Sequence, residues 1–599
     1  MIRNYKVNYF SREFSSIKDD LTRYAKQYYP TTFNDLSEAD ITTFMIESVA
    51  YVGDILSYYL DFQSNEAFID TATDPLNINR LAKSMGFKQP DTFTTSGKVT
   101  AFMLVPSDNN NSPDYTKVPV IKRGSVFSSI GGSKFLVADD IVIDENLIGI
   151  NYTVAKTNNV GNPTYYAIKF FIPVISGVIQ TERALVGDFK KFFTYSMSSP
   201  LTSEIISVID SSGNEYYEVD NLSQNVVYKS VFASDTRDSR YKSYLKPISA
   251  QRRFVFDNSN GAATLTFGGS SISAIKNLTI NPIAEPNKFI IQKYNNDFLE
   301  NSSFEPNKLL NGDNFGVGPE NTTLYITYRI NSSPSNNVNV GELNTIDSLL
   351  YEFDKTVSLD NATTNTILNS FQIINDEAIM GDNLGLTTDE IKRFSTSLFQ
   401  TQNRAVTAKD YEALCYSMSP KYGAIKRAKA VRDAKSLKNN INIYIVSVDN
   451  FDNLITSPST IKQNLKNWLN DYKILTDTVD ILDAKIINLK IVFTILADPR
   501  KNKVTVLQNA RQRLIDYYGN KPDIGEPFNK LDIYRLLKDT DGVLDVKDLQ
   551  IKNVTGAGYS SLAFNVEQNT TSDDNLIIIP KNAIYEIKDA TTNILGNVI

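Results

Sequence analysis

The 599-residue chain contains no histidine and one cysteine, Cys415. Without imidazole, the chain cannot build a Ser/His/Asp or Cys/His nucleophile, or a proton shuttle that titrates near neutral pH. A single cysteine excludes intramolecular disulfides and all multi-cysteine zinc and iron–sulfur sites. Carboxylate-pair hydrolysis and lysine chemistry stay open as classes, but the sequence singles out no pair of carboxylates. We therefore expect no enzymatic activity, no cofactor and no metal ion.

Long apolar runs and basic clusters are also missing. No segment has the roughly 18 consecutive apolar residues that a membrane-spanning helix needs. The first residues mix charged and aromatic side chains without the apolar core of a signal peptide. The chain has 61 Lys and Arg against 68 Asp and Glu, a net charge of −7, with no long basic run. We expect a protein that is synthesised in soluble form, does not insert into membranes and does not bind nucleic acid.

The length and the changes of periodicity predict several domains. A single hydrophobic core stops growing at about 250 to 300 residues, so a chain of this length divides. We predict a multidomain α+β protein with an N-terminal helical segment, a β-rich middle and C-terminal α+β docking domains. The predicted boundaries are 1–95 for the helical segment, 96–350 for the middle, which is one or two domains, 351–404 for a helical connector, and 405–599 for the C-terminal domains.

The N-terminal segment carries the clearest helical pattern. Ser37 and Asp40 form a capping pair before a run of apolar residues with helical spacing. The stripe consists of Ile41, Phe44, Met45, Val49, Val52, Ile55, Leu56 and Tyr59. Additional aromatic residues at Tyr51, Tyr58 and Phe62 exceed what a lone surface helix needs. We therefore predict that this helix is buried against a partner chain in a helical bundle.

A second N-terminal helix is bounded by its own signals. Asp74 is placed to cap the helix, and Pro75 fits its first turn. Gly86 suits the left-handed closing position, and Phe87 can contact the last turn.

The middle of the chain shows short alternating runs, such as those around Leu265 and Leu324. The Asn-rich stretches 109–111 and SSPSNNVN around Asn336 are interpreted as surface loops, because Asn favours turns. Gly268 and Gly269 resemble a phosphate-binding loop, but no helix start or lysine follows, so a tight turn is favoured. The stretch 257–261 imitates a calcium loop, but its glycine and its last ligand position do not fit an EF-hand.

The C-terminal part is predicted to alternate helices and strands. Thr407 and Asp410 cap a helix, Ile441 opens a strand, and strand–helix–helix–strand order is predicted over 481–551. We name as candidate pairing elements the residues Tyr411, Leu414, Phe528, Leu531, Tyr534 and Val543. Lys409 is interpreted as a solvated helix residue, Cys415 as a core residue, and Trp468 as packing against Leu465 and Tyr472.

Four stretches together resemble a known family. They are the segment from Phe33 to Phe87, the central GVGPENTTLYITYRI with NVNVGELNTI, AVTAKDYEALCYS, and DIGEPFNKLDIYRLLKDTDGVLDV. Each motif alone describes only caps, turns and apolar faces, but their order along most of the chain is more specific. In that order they are similar to the baseplate J-like family, especially the large baseplate wedge subunit of T-even-type contractile phages.

The resemblance implies a structural protein of the virion, located in the tail baseplate and assembled in the host cytoplasm. It implies two copies of the chain with one smaller or elongated partner, which form a heterotrimeric wedge. Six wedges close a ring around the central hub, and the ring widens on host contact and releases sheath contraction. The N-terminal helices join the partner in a bundle, and the C-terminal domains pair copies of the chain.

Two alternatives stay open on the sequence. The β-rich middle, with many Asn and Tyr residues, also suits a glycan-binding or glycan-processing tail component. The same architecture occurs in the equivalent wedge component of a bacterial contractile secretion system.

Overall fold

The structure of the protein is a computed structural model. It describes residues 13–28, 41–87, 94–108, 111–145, 147, 149–158, 161–232, 243–258, 262–271, 315–331, 336–354, 360–381, 386–419, 422–433, 436, 439–449, 451–519, 521–556 and 558–599. The chain forms two compact units. The helical unit comprises Met1–Lys88 and Thr387–Phe399, and the larger unit comprises Gln89–Leu386 and Gln400–Ile599.

Three N-terminal helices open the helical unit: α1 (Phe14–Tyr28), α2 (Ile41–Glu66) and α3 (Pro75–Ser84). The predicted boundaries of α3 are confirmed. The Asp74 side chain accepts a hydrogen bond from the Leu76 amide at 3.2 Å, Gly86 has φ +91°, and Phe87 is buried. The capping pair predicted at Ser37 and Asp40 lies outside the described residues.

The segment 351–404, predicted as a helical connector, contains both helices and strands. Its elements are β17 (Tyr351–Glu352), α4 (Asn361–Asn369), β18 (Gln372–Ile374) and α5 (Thr388–Thr401). Residues 387–399, most of α5, belong to the helical unit. Within that unit the Lys392 ammonium donates a hydrogen bond to the Asp70 carbonyl oxygen at 3.4 Å. The buried face of α5 carries Ile391, Phe394 and Leu398, at the spacing of an amphipathic helix.

Two seven-stranded sheets form most of the middle region. The strands of the first sheet run in the order β16–β3–β4–β6–β1–β18, with β5 also paired to β6. Their bounds are β1 (Ser96–Pro106), β3 (Val126–Ser129), β4 (Lys134–Val137), β5 (Asn151–Thr157), β6 (Pro163–Ser176) and β16 (Leu343–Ser348). The short β2 (Val120–Ile121) pairs with β17.

The second sheet follows directly on the first, because only Gly177 separates β6 from β7. Its order is β7–β15–β9–β10–β13–β14–β8. Its strands are β7 (Val178–Val186), β8 (Thr194–Ser196), β9 (Thr202–Asp210), β10 (Glu215–Glu218), β13 (Arg253–Asp257), β14 (Thr264–Phe267) and β15 (Thr322–Ile330). A separate hairpin joins β11 (Val226–Phe232) and β12 (Ser243–Ser249).

One loop prediction in the middle region is correct in placing residues 336–339 outside the strands, but the predicted surface position is wrong for Asn336 and Asn337. Asn336 and Asn337 are buried, and Val338 forms a bridge with Ile379. The Asn337 side-chain oxygen accepts a hydrogen bond from the Gly381 amide at 3.2 Å. Asparagine satisfies the backbone of a distant segment here, instead of its own turn. Asn111 does fit a turn, with φ +58°, whereas residues 109–110 lie outside the described part.

The C-terminal part has the predicted mixture of helices and strands. Its helices are α6 (Ala408–Tyr416), α7 (Ser459–Asn470), α8 (Lys503–Tyr518), α9 (Lys530–Lys538) and α10 (Ala590–Asn593). One sheet comprises β19 (Arg427–Arg432), β20 (Asn440–Val448), β21 (Leu454–Ile455) and β22 (Thr478–Asp483). A short pair joins β24 (Phe528–Asn529) and β26 (Leu576–Ile577).

The last sheet is built around one long strand, β23 (Lys485–Ala497). Its neighbours are β25 (Val543–Asn553), β27 (Ala583–Glu586) and β28 (Ile594–Val598). Leu489, Ile491, Phe493 and Ile495 alternate along the buried face of β23, as predicted. They pack in one core with residues of α8 and α9. The multidomain α+β class, with helices first and a β-rich middle, is confirmed.

Candidate interaction surfaces

One side of α2 is covered by α1. The Lys18 ammonium lies 2.7 Å from the Glu47 carboxylate, and a Cβ added at Gly53 would lie 3.3 Å from the Ile17 Cδ1. Thr43 and Ala50 are buried on the same side of α2. Small residues at these positions let the two helices approach closely.

The predicted apolar stripe lies on the opposite side of α2. A helix turns by about 100° per residue, which sets the stripe roughly half a turn away from Ala50. Seven of its eight residues are exposed, and Ile55 is intermediate. The exposed residues are Ile41, Phe44, Met45, Val49, Val52, Leu56 and Tyr59. The helix has 26 residues, and at 1.5 Å per residue the stripe from Ile41 to Tyr59 is about 27 Å long.

Further large side chains extend this surface beyond the stripe. Tyr51, Tyr58, Leu60 and Phe62 are also exposed. Monomeric proteins rarely leave so much contiguous apolar area in water, and such patches mark interaction sites. Within the described residues, no helix combines the length and the apolar character needed to cross a membrane.

Glu66 fixes the corner between α2 and α3. Its carboxylate accepts hydrogen bonds from the Thr73 amide at 2.6 Å and hydroxyl at 2.8 Å, and from the Asn77 side-chain amide at 2.8 Å. Burial alone would raise the pKa of Glu66, but these bonds and one from the Asp74 amide outweigh it and lower the pKa to about 2. The ionised carboxylate therefore stabilises this corner.

The candidate pairing elements divide into core and surface residues. Tyr411, Leu414, Phe528 and Val543 are buried, so their side chains serve the fold of this chain. Leu531 and Tyr534, one helical turn apart on α9, are exposed. Of the six predicted residues, only these two have exposed side chains.

The polar residues at the start of α6 have structural roles. Thr407 and Asp410 form the predicted reciprocal capping box. Tyr411 is buried, and its hydroxyl donates to the Asp477 carboxylate at 2.9 Å. Burial, and then Asp477, raises the pKa of Tyr411. Cys415 is buried, as predicted for a core residue, and burial raises the pKa of its thiol.

The predicted packing of Trp468 against Tyr472 and the predicted exposure of Lys409 are also confirmed. The Trp468 ring packs 5.0 Å from the Tyr472 ring, and its indole N–H donates to the Leu414 carbonyl oxygen at 3.0 Å. Lys409 is exposed on the first turn of α6.

The sequence did not indicate that α6 also closes the edge of β19. The Ala428 amide donates to the Tyr416 hydroxyl at 2.9 Å, and the Ala430 amide donates to the Glu412 carboxylate at 3.1 Å. Free strand edges pair readily with other chains, and side-chain caps of this kind block such pairing. The available signal was the spacing of Glu412 and Tyr416, which places both on one face of the helix.

No metal-binding cluster occurs among the residues that the structure describes. In the loop around Gly268, a Cβ added at that residue would lie 2.2 Å from the Gly316 carbonyl oxygen. Glycine is therefore required there by a close backbone approach, which agrees with a tight turn and not with a phosphate site.

Comparison with known proteins gives one family match. Residues 12–84 match the family model of the bacteriophage baseplate protein N-terminal domain. The matched segment contains α1, α2 and α3, and with them the apolar stripe. The N-terminal helices are thus similar to those of phage baseplate proteins. No curated protein sequence matches the chain.

Two solved structures of baseplate assemblies also match the chain. A chain of the anti-feeding prophage baseplate, determined by cryo-electron microscopy with 6-fold symmetry, is 11% identical, with 95% of this chain and 90% of that chain covered at a TM-score of 0.26. A chain of the type VI secretion TssK–TssF–TssG baseplate subcomplex is 8% identical, with 74% of this chain and 96% of that chain covered at a TM-score of 0.25. Scores this low do not establish a shared fold.

Proposed function

We propose that this chain is a structural, non-catalytic subunit of a phage-tail baseplate, and that the apolar stripe of α2 binds a partner subunit. The exposure of the stripe carries this proposal. Its residues lie inside the segment that matches the baseplate N-terminal family. Burying a large apolar side chain contributes roughly 1.5 to 3 kcal/mol, so a partner that covers the stripe gains several such contributions.

The finer assignment is a wedge subunit of a contractile tail. In this proposal two copies and one smaller or elongated partner form a heterotrimer, and neighbouring wedges form a ring around the hub that transmits the trigger to the sheath. The collinear baseplate J-like motifs support it. Leu531 and Tyr534 on α9 are the side chains that we assign to pairing between copies, because both are exposed.

A charge placed in the stripe tests the bundle. We expect Leu56→Asp to abolish complex formation with the co-expressed wedge partner, because Leu56 is 57% exposed in the free chain and would be dehydrated in the bundle. The matched control is Leu185→Asp, the same change at a residue that is 82% exposed on β7. Light scattering coupled to size-exclusion chromatography measures the complex, and a mass of two copies with one partner is expected for the wild type.

Retained binding by Leu56→Asp, with unchanged stoichiometry, would show that the stripe is not part of the interface.

Gene neighbours distinguish a phage from a bacterial contractile secretion system, because capsid and tail-fibre genes accompany the first and secretion ATPase genes the second. Binding of host polysaccharide by the chain would instead favour the glycan-related alternative.

A further inference from the structure

An arginine is buried between the two sheets of the middle region. Arg329, near the end of β15, is almost fully buried. Its guanidinium donates to the Ser176 carbonyl oxygen, to the Thr94 hydroxyl at 3.1 Å, and to the Glu204 carboxylate at 3.0 Å. Thr94 precedes β1 and Ser176 ends β6, both in the first sheet, whereas Glu204 belongs to β9 in the second. One side chain thus joins the two sheets.

The backbone around Arg329 is equally constrained. The Ser176 amide donates to the Thr95 carbonyl oxygen at 2.8 Å, and the Thr95 amide donates to the Ser176 hydroxyl at 3.0 Å. Gly177, the only residue between β6 and β7, has φ +110°, and a Cβ there would lie 2.5 Å from the Ile330 carbonyl oxygen. A glycine between two sheets would ordinarily permit bending, but here its surroundings hold one conformation.

Thr94 also lies close to Gly381, in the segment that leads to α5. A Cβ added at Gly381 would lie 3.2 Å from the Thr94 carbonyl oxygen and 3.5 Å from the Gly423 Cα. The Gly381 carbonyl oxygen accepts a hydrogen bond from the Ala424 amide at 2.9 Å, which joins the C-terminal part. The chain passes between the helical unit and the larger unit at three places. In sequence, Thr94 follows the first of them and Gly381 precedes the second, and the third lies between Phe399 and Gln400.

We infer that Thr94, Ser176, Glu204, Arg329 and Gly381 form a locked junction, which holds the two sheets of the middle region and the start of the C-terminal part in one fixed arrangement. The charge is required because a buried guanidinium satisfies three acceptors from separate segments, which no apolar side chain can do. Removing it leaves the Ser176 carbonyl oxygen and the Thr94 hydroxyl without this donor, which weakens the contacts that hold Gly177 between the sheets. The use of a rigid junction in a baseplate subunit rests on the proposed function. The rigidity itself is a property of the isolated chain.

Distance measurements between spin labels test the junction. Labels are placed at Ile130→Cys, in the turn that follows β3 of the first sheet, and at Leu185→Cys in the second sheet. Both residues are exposed, whereas the native Cys415 is buried and stays unlabelled. We expect one narrow distance in the full-length chain. Arg329→Met should broaden it, and should speed hydrogen exchange of the Thr95 and Ser176 amides by about tenfold or more.

The matched control is Arg183→Met on β7, because Arg183 is exposed and stacks on the Tyr325 ring at 5.6 Å. It should leave both the distance and the exchange unchanged. Thr94→Val removes a single acceptor at nearly constant volume and should give a smaller change in the same direction. If Arg329→Met fails to fold, the label distance and the amide exchange of Thr94→Val test the junction instead.

An unchanged distance in Arg329→Met, or in a folded Thr94→Val when Arg329→Met does not fold, would overturn the inference. That result leaves the proposed function intact, because partner binding through Leu56 is measured separately.

Discussion

α2 and β23 are both long elements with apolar side chains along one face, yet only the face of β23 is covered by this chain. Phe493 on β23 is 0% exposed, whereas Phe44 on α2 is 67% exposed. β23 has partner strands on both sides and helices α8 and α9 over its face. α2 has α1 on one side, and the structure describes no cover for its apolar stripe. An apolar pattern indicates that a face will be buried, but it does not say by which chain.

The matched pair Phe493→Ala and Phe44→Ala gives the largest expected contrast. Phe493→Ala should destabilise the chain by about 3 to 5 kcal/mol, because it leaves a cavity in a closed core. Phe44→Ala should change the stability of the free chain by less than about 0.5 kcal/mol, because the ring is already in water. Urea denaturation of both variants measures the difference. Equal losses would mean that the stripe is covered within the chain.

A second test examines how tightly the face of β23 is closed. A Cβ added at Gly596 on β28 would lie 2.5 Å from Phe493 Cζ and 2.6 Å from Leu507 Cδ1. Gly596→Ala should therefore cost about 1 to 3 kcal/mol through overpacking. The control is Gly187→Ala, where a Cβ meets no atom within 4 Å. If Gly596→Ala is as stable as the wild type in the same urea experiment, the side chains around Phe493 can rearrange to make room for a methyl group.

Local signals in the sequence were sufficient for many elements. The caps of α3 and α6 and the alternation on β23 depend on neighbouring residues, so they were predicted correctly. The position of α5 in the helical unit was missed, because it depends on residues more than 300 positions away, as the contact from Lys392 to Asp70 shows. The burial of Asn337 was missed for a similar reason, since its bond comes from Gly381, 44 positions away.

The candidate surfaces show the same limit. The sequence predicted the stripe of α2, because helical spacing fixes which residues share a face. It could not separate core from surface at Tyr411 or Phe528, because capped helices and apolar runs have the same pattern in a core and in an interface. Arg329 gave no signal at all, since its acceptors come from β6, β9 and the residue at 94, which are far apart in sequence.

The smallest expected effect concerns the corner that holds the exposed helix. The folded pKa of Glu66 is about 2, below its ordinary 4.5, so its stabilisation is fully present above about pH 4.5 and is lost as the pH falls towards about 2. Glu66→Gln removes the charge, and it should cost under about 1 kcal/mol at neutral pH, because the site is partly exposed to solvent. Urea denaturation should show the gap between the variant and the wild type closing progressively over that acid range. A gap that stays constant from neutral pH to about pH 2 would mean that Glu66 titrates normally, and that the corner between α2 and α3 is held by packing alone.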